Sequence, residues 1–215
     1  MPSCQCQGCD SMFDKREAIS DLKDYRKKGA SGTTRTLIEA LKAEDIEGLT
    51  LLDIGGGVGV IQHELLKTGV KSSVDVDASA AFIDAARSES ERLGHADRVA
   101  FHHADFVELA EDISPADIVT LDRVLCCYDN MEALVKSSAA HARKLYGVVY
   151  PRDTWWLRIV GLIGRALLRL TRNKFRFFIH PSHTVDALLR ENGLRQHFYR
   201  KTIIWQIVIY TRAAD

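Results

Sequence analysis

Net charge is the first thing this chain lacks. Lys and Arg number 29 and Asp and Glu number 29. The molecule therefore has no overall cationic field of the kind a dedicated nucleic-acid binder uses to hold phosphates, and no nucleic-acid partner is expected. The N-terminus lacks the apolar stretch of a secretory leader, and nowhere do the roughly 18 uncharged apolar residues of a transmembrane span run together. A soluble, cytoplasmic protein with its cysteines held as thiols is the expectation. A closed zinc site is also wanting, since Cys4, Cys6 and Cys9 follow C-x-C-x-x-C without the paired C-x-x-C spacing or an evident fourth donor. Residues 1–12 then read as a flexible cysteine-containing tail, with no metal. Nor do 215 residues call for a second full domain. The hydrophobic fraction of 46% is ample for one α/β core with additions at its ends.

What is present is organised around residues 49–59. Leu49, Leu51, Leu52 and Ile54 make a short apolar run suited to a central parallel strand covered by helices on both faces. Asp53 stands near its end, Gly55, Gly56, Gly57 and Gly59 follow, and Ile61, Leu65 and Leu66 then recur at helical spacing. A strand, a glycine turn and a helix in that order bring backbone N–H groups and a helix N-terminus to one point, where a ligand can approach without side chains intervening. A dinucleotide site asks for G-x-G-x-x-G, whose third glycine would fall at Val60, whereas the spacing here is G-x-G-x-G. Asp53 would repel a diphosphate but suits a ligand carrying an amine and a sulfonium. The stretch resembles motif I of the class I S-adenosylmethionine (SAM)-dependent methyltransferases. That resemblance implies SAM as cofactor, S-adenosylhomocysteine as its product, and binding through Asp53 and the glycines. Two alternatives accompany it: a SAM-binding or sensing protein without turnover, and an NAD-dependent oxidoreductase.

The rest of the chain falls into order around that unit. Residues 13–28 show a charged helical pattern with Phe13, Ile19, Leu22 and Tyr25 apolar, stopped by Gly29. A second helix, capped by Thr33 or Thr34, carries Leu37, Ile38 and Leu41 on one face. The resemblance implies that these N-terminal helices, within 13–48, lid the cofactor. Residues 72–76 and 98–103 read as the second and third strands. An acid closing the second strand faces a ribose in such units, and Asp75 and Asp77 both compete for that place. The methyltransferase pattern favours Asp77, with Ala78 beside it, and assigns Asp105 and Phe106 to the adenine. Residues 116–121 are the fourth strand, which leaves Leu121 and Asp122 at the methionine end. Where many relatives carry a Val-Leu-His-His-Leu type segment, this chain has Val124-Leu125-Cys126-Cys127-Tyr128. The histidines sometimes proposed there as bases are absent, and the two cysteines read as buried packing. The catalytic candidates are Asp122 and His180 as bases and Tyr128 as an aromatic border to the sulfonium.

After a helix over 131–144 and a fifth strand over 145–150, the acceptor side begins. The resemblance implies a methyltransferase domain over 49–215, with an acceptor-side helical insertion at about 152–180. Within it, residues 155–170 form an apolar helical pattern whose Arg158, Arg165 and Arg169, with Arg172 beyond, lie near one stripe. Packing with a pocket wall is the first reading of this segment, and peripheral contact of 155–172 with a membrane surface the second. Tyr150, Arg152, Trp155 and Arg176 are the acceptor candidates, because aromatic walls bury an apolar body and arginines grip carboxylate or phosphate. The expected acceptor is small or medium-sized, partly apolar and anionic. The run 171–180 faintly resembles the C-terminal part of magnesium-protoporphyrin methyltransferases. A helix over 184–191, stopped by Gly193, and two last strands within 194–211, bending near Tyr199 or Lys201, complete the expectation: a three-layer Rossmann-like α/β fold, its seven-stranded sheet mostly parallel with an antiparallel end.

Overall fold

The computed structural model describes residues 13–157 and 177–212. Cys4, Cys6, Cys9, Arg176 and the arginine stripe Arg158, Arg165, Arg169 and Arg172 lie outside the described residues, so the readings placed on the tail and on most of 155–172 are not addressed by it. One seven-stranded sheet carries the fold, built from β1 (Thr50–Ile54), β2 (Ser72–Asp77), β3 (Val99–His103), β4 (Ala116–Asp122), β5 (Ala142–Pro151), β6 (Leu194–Lys201) and β7 (Trp205–Arg212). Their order is β3-β2-β1-β4-β5-β7-β6. The first five strands run parallel and β7 is antiparallel to both of its neighbours. The Rossmann-like fold and its antiparallel end are as the sequence pattern predicts. The strand order reverses beside β1, where a doubly wound sheet opens its ligand crevice.

Helices cover both faces: α1 (Lys15–Lys28), α2 (Gly32–Lys42), α3 (Val60–Leu66), α4 (Ala80–Leu93), the short α5 (Phe106–Leu109), α6 (Met131–His141) and α7 (Ser182–Glu191). The strands sort their side chains by the two-residue period. Leu52, Ile54, Val119, Leu121, Tyr146, Val148, Val208 and Tyr210 pack on α5, α6 and α7. Leu51, Ile118, Leu145, Val149, Ile207 and Ile209 pack on α2 and α3. Gly147 permits a close approach on that second face, for a Cβ there would stand 2.9 Å from Leu37 Cδ1. Helix α1 rests on α4 through a smaller cluster of Ala18, Val58 and Phe82, joined by Phe13 and Leu22.

Several boundaries differ from the sequence reading: α2 begins at Gly32 after Ser31, ahead of Thr33 and Thr34, α7 begins at Ser182, and α6 ends early. Helix α6 stops at His141, because Ala142 is already paired to Ala116 of β4, and that ladder claims residues whose spacing continues the helical pattern. The last hairpin bends at 202–204. Tyr199 and Lys201 remain in register with Val208 and Gln206, and the turn closes by Thr202 N–H donating to Trp205 O at 2.8 Å.

Candidate active site

A cavity of about 430 Å³ lies at the C-terminal ends of the central strands. Its size falls within the roughly 300–1,000 Å³ of small-molecule sites. Ile54, Gly55 and Gly57 form one wall, Val76, Asp77 and Ala78 the next, and Ala104, Asp105 and Phe106 the third. Asp122 through Val124 and Cys126 through Tyr128 line the β4 side; Phe82 and Leu134, Phe13, Glu17 and Asp21 of α1 and its approach, and Phe177 and Trp205 complete the lining.

The glycine turn is backbone made into a wall. Gly55, Gly57 and Gly59 sit at φ 66°, 59° and 79°, a region that costs a residue with a Cβ. A Cβ on Gly55 would stand 2.5 Å from Val124 Cγ2, and one on Gly56 would stand 2.6 Å from Asp75 Oδ1. Gly56 and Gly59 thus belong to the turn but not to the cavity lining. Asp77 fastens the turn from the next strand: Oδ2 accepts from Gly57 N–H at 3.0 Å and Oδ1 from Ser79 N–H at 2.8 Å, at the start of α4. Asp105 caps α5 by accepting from Val107 N–H, and the Tyr128 hydroxyl donates to both of its oxygens at 2.8 and 3.0 Å. Tyr128 is therefore held at the Asp105 end of the cavity.

Beneath the turn lies a buried pair of acids. Asp53 and Asp75 are register partners on β1 and β2. Asp53 accepts from Thr120 Oγ1 at 2.7 Å, and its other oxygen has no hydrogen-bond partner. Burial lifts the Asp53 carboxyl to about 7 against the pull of the Thr120 hydroxyl, with Asp122 and Asp77 adding to the rise. Burial and the neighbouring Asp53 and Asp77 push Asp75 well up also. Asp53 supports the turn from below and is not itself in the lining. Asp122 does line the cavity, and its carboxylate is oriented from two sides by Thr34 Oγ1 on α2 and by Arg123 Nε at 3.3 Å. Arg123 has the one positive φ, 63°, among the described non-glycine residues.

The other candidates lie elsewhere. Leu121 is wholly buried in the sheet core. His180 Nε2 sits 3.0 Å from both Leu125 O and Tyr128 O, with its ring stacked on Phe178, and burial holds its pKa below the usual value. A neutral imidazole donating to those carbonyls pins the 125–128 turn, a structural task, and His180 is not among the residues that line the cavity. Tyr150 is buried at 2% exposure in the same core, and burial raises its hydroxyl pKa. Arg152 Nη1 donates to Thr202 O and Ile203 O of the hairpin turn, and Trp155 is 74% exposed. Neither they nor Tyr150 reach the cavity lining. Several lining or supporting residues were not singled out in sequence: Arg123, Phe82, Trp205 and Thr120, whereas Glu17, Asp21 and Thr34 fall within the helices of 13–48 expected over the cofactor. Only Thr120 left a signal, since parallel pairing of β1 with β4 sets it opposite Asp53.

The methyltransferase domain model matches residues 45–191, a range that holds the glycine turn, Asp77, Asp105 and the whole β4 side of the cavity. The chain belongs to the methyltransferase domain family. Members of this family take their methyl group from SAM. The ribosomal protein L11 methyltransferase of Pasteurella multocida is 36% identical over 90 residues, which are 42% of this chain and 28% of that protein. That of Enterobacter sp. is 31% identical over 91 residues, 42% of this chain and 30% of its own length. The chain thus spans under a third of these relatives. Among solved structures, magnesium protoporphyrin IX methyltransferase from Synechocystis PCC 6803, with bound S-adenosylhomocysteine, superposes with a TM-score of 0.69 at 19% identity, covering 90% of this chain and 95% of that one. An O-methyltransferase family protein from Burkholderia thailandensis gives 0.71 at 16% identity, covering 96% and 63%. At such identities the superpositions speak for the fold alone. Among the described residues no helix is long and apolar enough to cross a membrane, and no group of three or more His, Cys, Asp or Glu is placed to hold a metal.

Proposed function

We propose that this chain is a SAM-dependent methyltransferase acting in the cytoplasm on a small or medium-sized, partly apolar acceptor. The observation that carries the reading is the glycine turn itself: a left-handed backbone fastened by Asp77 at the rim of a cavity whose far end presents Asp105. The donor set fits SAM. Asp77 would accept from the ribose hydroxyls, Asp105 with Phe106 would meet the adenine, Ala78 would border it, and Gly55 and Gly57 would face the methionine end above the buried Asp53. Bound SAM supplies an electrophilic methyl on a sulfonium. The chain aligns the acceptor with that methyl and excludes water, a proximity effect that can remove on the order of 7–11 kcal/mol from a barrier. Asp122, oriented by Thr34 and Arg123, is the group in the lining placed to take a proton from the acceptor. Helix α1 acts as the lid, because Phe13, Glu17 and Asp21 close that side.

Negative charge on the acceptor is the part of the expectation that the described wall does not support. Arg152 is occupied by the hairpin backbone and Arg176 lies outside the described residues, while the lining carries Glu17, Asp21, Asp77, Asp105 and Asp122 against Arg123. Overall neutrality still argues against a nucleic acid, where phosphate contacts dominate affinity. Calorimetry against SAM, S-adenosylhomocysteine, NAD and ATP tests the reading. SAM and its product should bind while NAD stays silent, and Asp77→Ala should weaken SAM at least tenfold. Binding of NAD without SAM would hand the site to an oxidoreductase. Binding of SAM with no labelled product from any small-molecule, protein or RNA fraction of a cell extract would leave a sensor.

A further inference from the structure

The turn after β4 does something that adjacent residues of a strand cannot. Consecutive strand side chains point to opposite faces, but Leu125–Cys127 is a single 3-10 turn that follows the left-handed Arg123. Both thiols therefore turn back toward one carbonyl. Cys126 Sγ lies 3.0 Å and Cys127 Sγ 3.8 Å from Arg123 O, and the two sulfurs stand 3.7 Å apart. Both are free thiols and both line the cofactor cavity. A disulfide would require closure to about 2.0 Å. Two thiolates on a tetrahedral d¹⁰ ion with metal–sulfur bonds of about 2.3 Å stand about 3.8 Å apart, and the narrower bond angles of a pyramidal trivalent centre bring them a few tenths of an ångström closer, so the pair stands near the bite of a chelate. No third His, Cys, Asp or Glu among the described residues joins it. A structural zinc, which asks for four protein ligands, is therefore the wrong guest.

We propose that Cys126 and Cys127 form a two-sulfur site for a soft, thiophilic centre that needs only two protein ligands, the simplest being a monosubstituted trivalent arsenical, and that its occupation blocks the methyl-donor cavity. The chemistry balances without an oxidant. With phenylarsine oxide two As–S bonds form, the arsenic–oxygen bond breaks, and the oxygen leaves as water with the two thiol protons while arsenic stays trivalent. The pair is also primed for attack, because the hydrogen bond from Cys126 and the nearby Arg123 guanidinium make the Cys127 thiol more acidic than usual. Cys126, 3% exposed, is the buried partner that a second As–S bond then engages.

The test uses the full chain carrying Cys4→Ser, Cys6→Ser and Cys9→Ser, so that the only remaining thiols are Cys126 and Cys127. Intact-mass measurement with phenylarsine oxide should show one phenylarsenic per chain and the loss of both titratable thiols. A large excess of a monothiol should leave the adduct in place, and dimercaptopropanol should strip it. Adding Cys126→Ala or Cys127→Ala should make the adduct labile to monothiol. Should either variant fail to fold, stoichiometry and monothiol resistance in the parent background still decide. An adduct stripped by monothiol, two arsenicals per chain, or resistance surviving in a single-cysteine variant would overturn the proposal. The blocking part rests on the SAM reading above and fails separately. Saturating SAM should slow labelling at least tenfold; SAM that binds by calorimetry without slowing it removes the shared cavity, and an adduct that forms on a protein unable to bind SAM leaves the chelate standing and sinks the SAM assignment.

Discussion

Asp53 combines its place beneath the glycine turn with a cost to the fold. Its carboxyl is buried, with one oxygen on Thr120 and a pKa near 7. Between 3.8, the ordinary value, and about 7 the folded chain keeps a proton that the unfolded chain has released, so this group's contribution to stability declines as pH rises through that window. Asp53→Asn is expected to match the parent near pH 4 and to exceed it by up to a few kcal/mol above pH 7, read as urea midpoints at both pH values. The same substitution should weaken SAM, and in the parent SAM affinity should drop as pH falls below about 7, by about tenfold per pH unit at the limit. An affinity independent of pH, with no proton released in buffers of different ionisation heat, would remove Asp53 from the amine's surroundings. Gly55 separates two steric demands. Gly55→Ala meets both a φ of 66° and the Val124 methyl at 2.5 Å, and should lose about 1–3 kcal/mol and most SAM binding. Val124→Ala added to it should restore part of the loss, because it removes the clash and leaves the dihedral strained. Complete rescue would mean that the left-handed backbone carries no cost.

Among the elements, α1 has a firm end and a working end. Its C-terminal turns are anchored: the Tyr25 hydroxyl donates to Glu64 of α3 at 3.0 Å, and Arg26 pairs at 2.7 Å with Glu89 of α4, whose side chain is fully buried. Against the upward push of burial, Arg92 and Arg26 hold the Glu89 carboxyl below its usual pKa. The N-terminal turns carry Glu17 and Asp21 to the cavity. Arg26→Ala leaves Glu89 with Arg92 alone and should cost roughly 1–3 kcal/mol. It should also speed hydrogen exchange of α1 amides while leaving β1 and β4 protected, and unchanged exchange in α1 would show that the ion pair does not hold this helix. Sequence patterning read these elements well where a face alternates or repeats, as in Leu37, Ile38 and Leu41 of α2 or Leu52 and Ile54 of β1. It went astray at Ala142, where a β4 partner distant in sequence set the boundary, while the bend of the last hairpin falls directly after Lys201, one of the two positions expected near it. The acids at the strand ends were legible because topology fixes what lies there. Arg152 was not, since a guanidinium that satisfies two backbone carbonyls looks the same in sequence as one waiting for an anion.

At the scale of the whole molecule, the cavity is lined by residues from Phe13 to Trp205. A local motif could show only its central part, the turn and the acids at the strand ends, while the α1 side and the hairpin side come from segments far apart in the chain that only folding brings together. A ligand seated there touches both ends, so its binding should be felt by the entire fold. At a hundred times its dissociation constant such a ligand adds about 2.7 kcal/mol, which for a domain of this length raises the melting temperature by roughly 5–10 °C. SAM and S-adenosylhomocysteine should both produce that shift, growing with the logarithm of concentration. They should slow hydrogen exchange in α1 as well as in the turn between β1 and α3, since Glu17 and Asp21 share the cavity with Gly55 and Gly57. NAD should do neither, because the third glycine its diphosphate wants is replaced by Val60 and the strand end beneath carries Asp53. An equal shift with NAD would show that the turn does not discriminate. A SAM shift that leaves α1 exchange untouched would confine the ligand to the strand ends and take from α1 the role of lid.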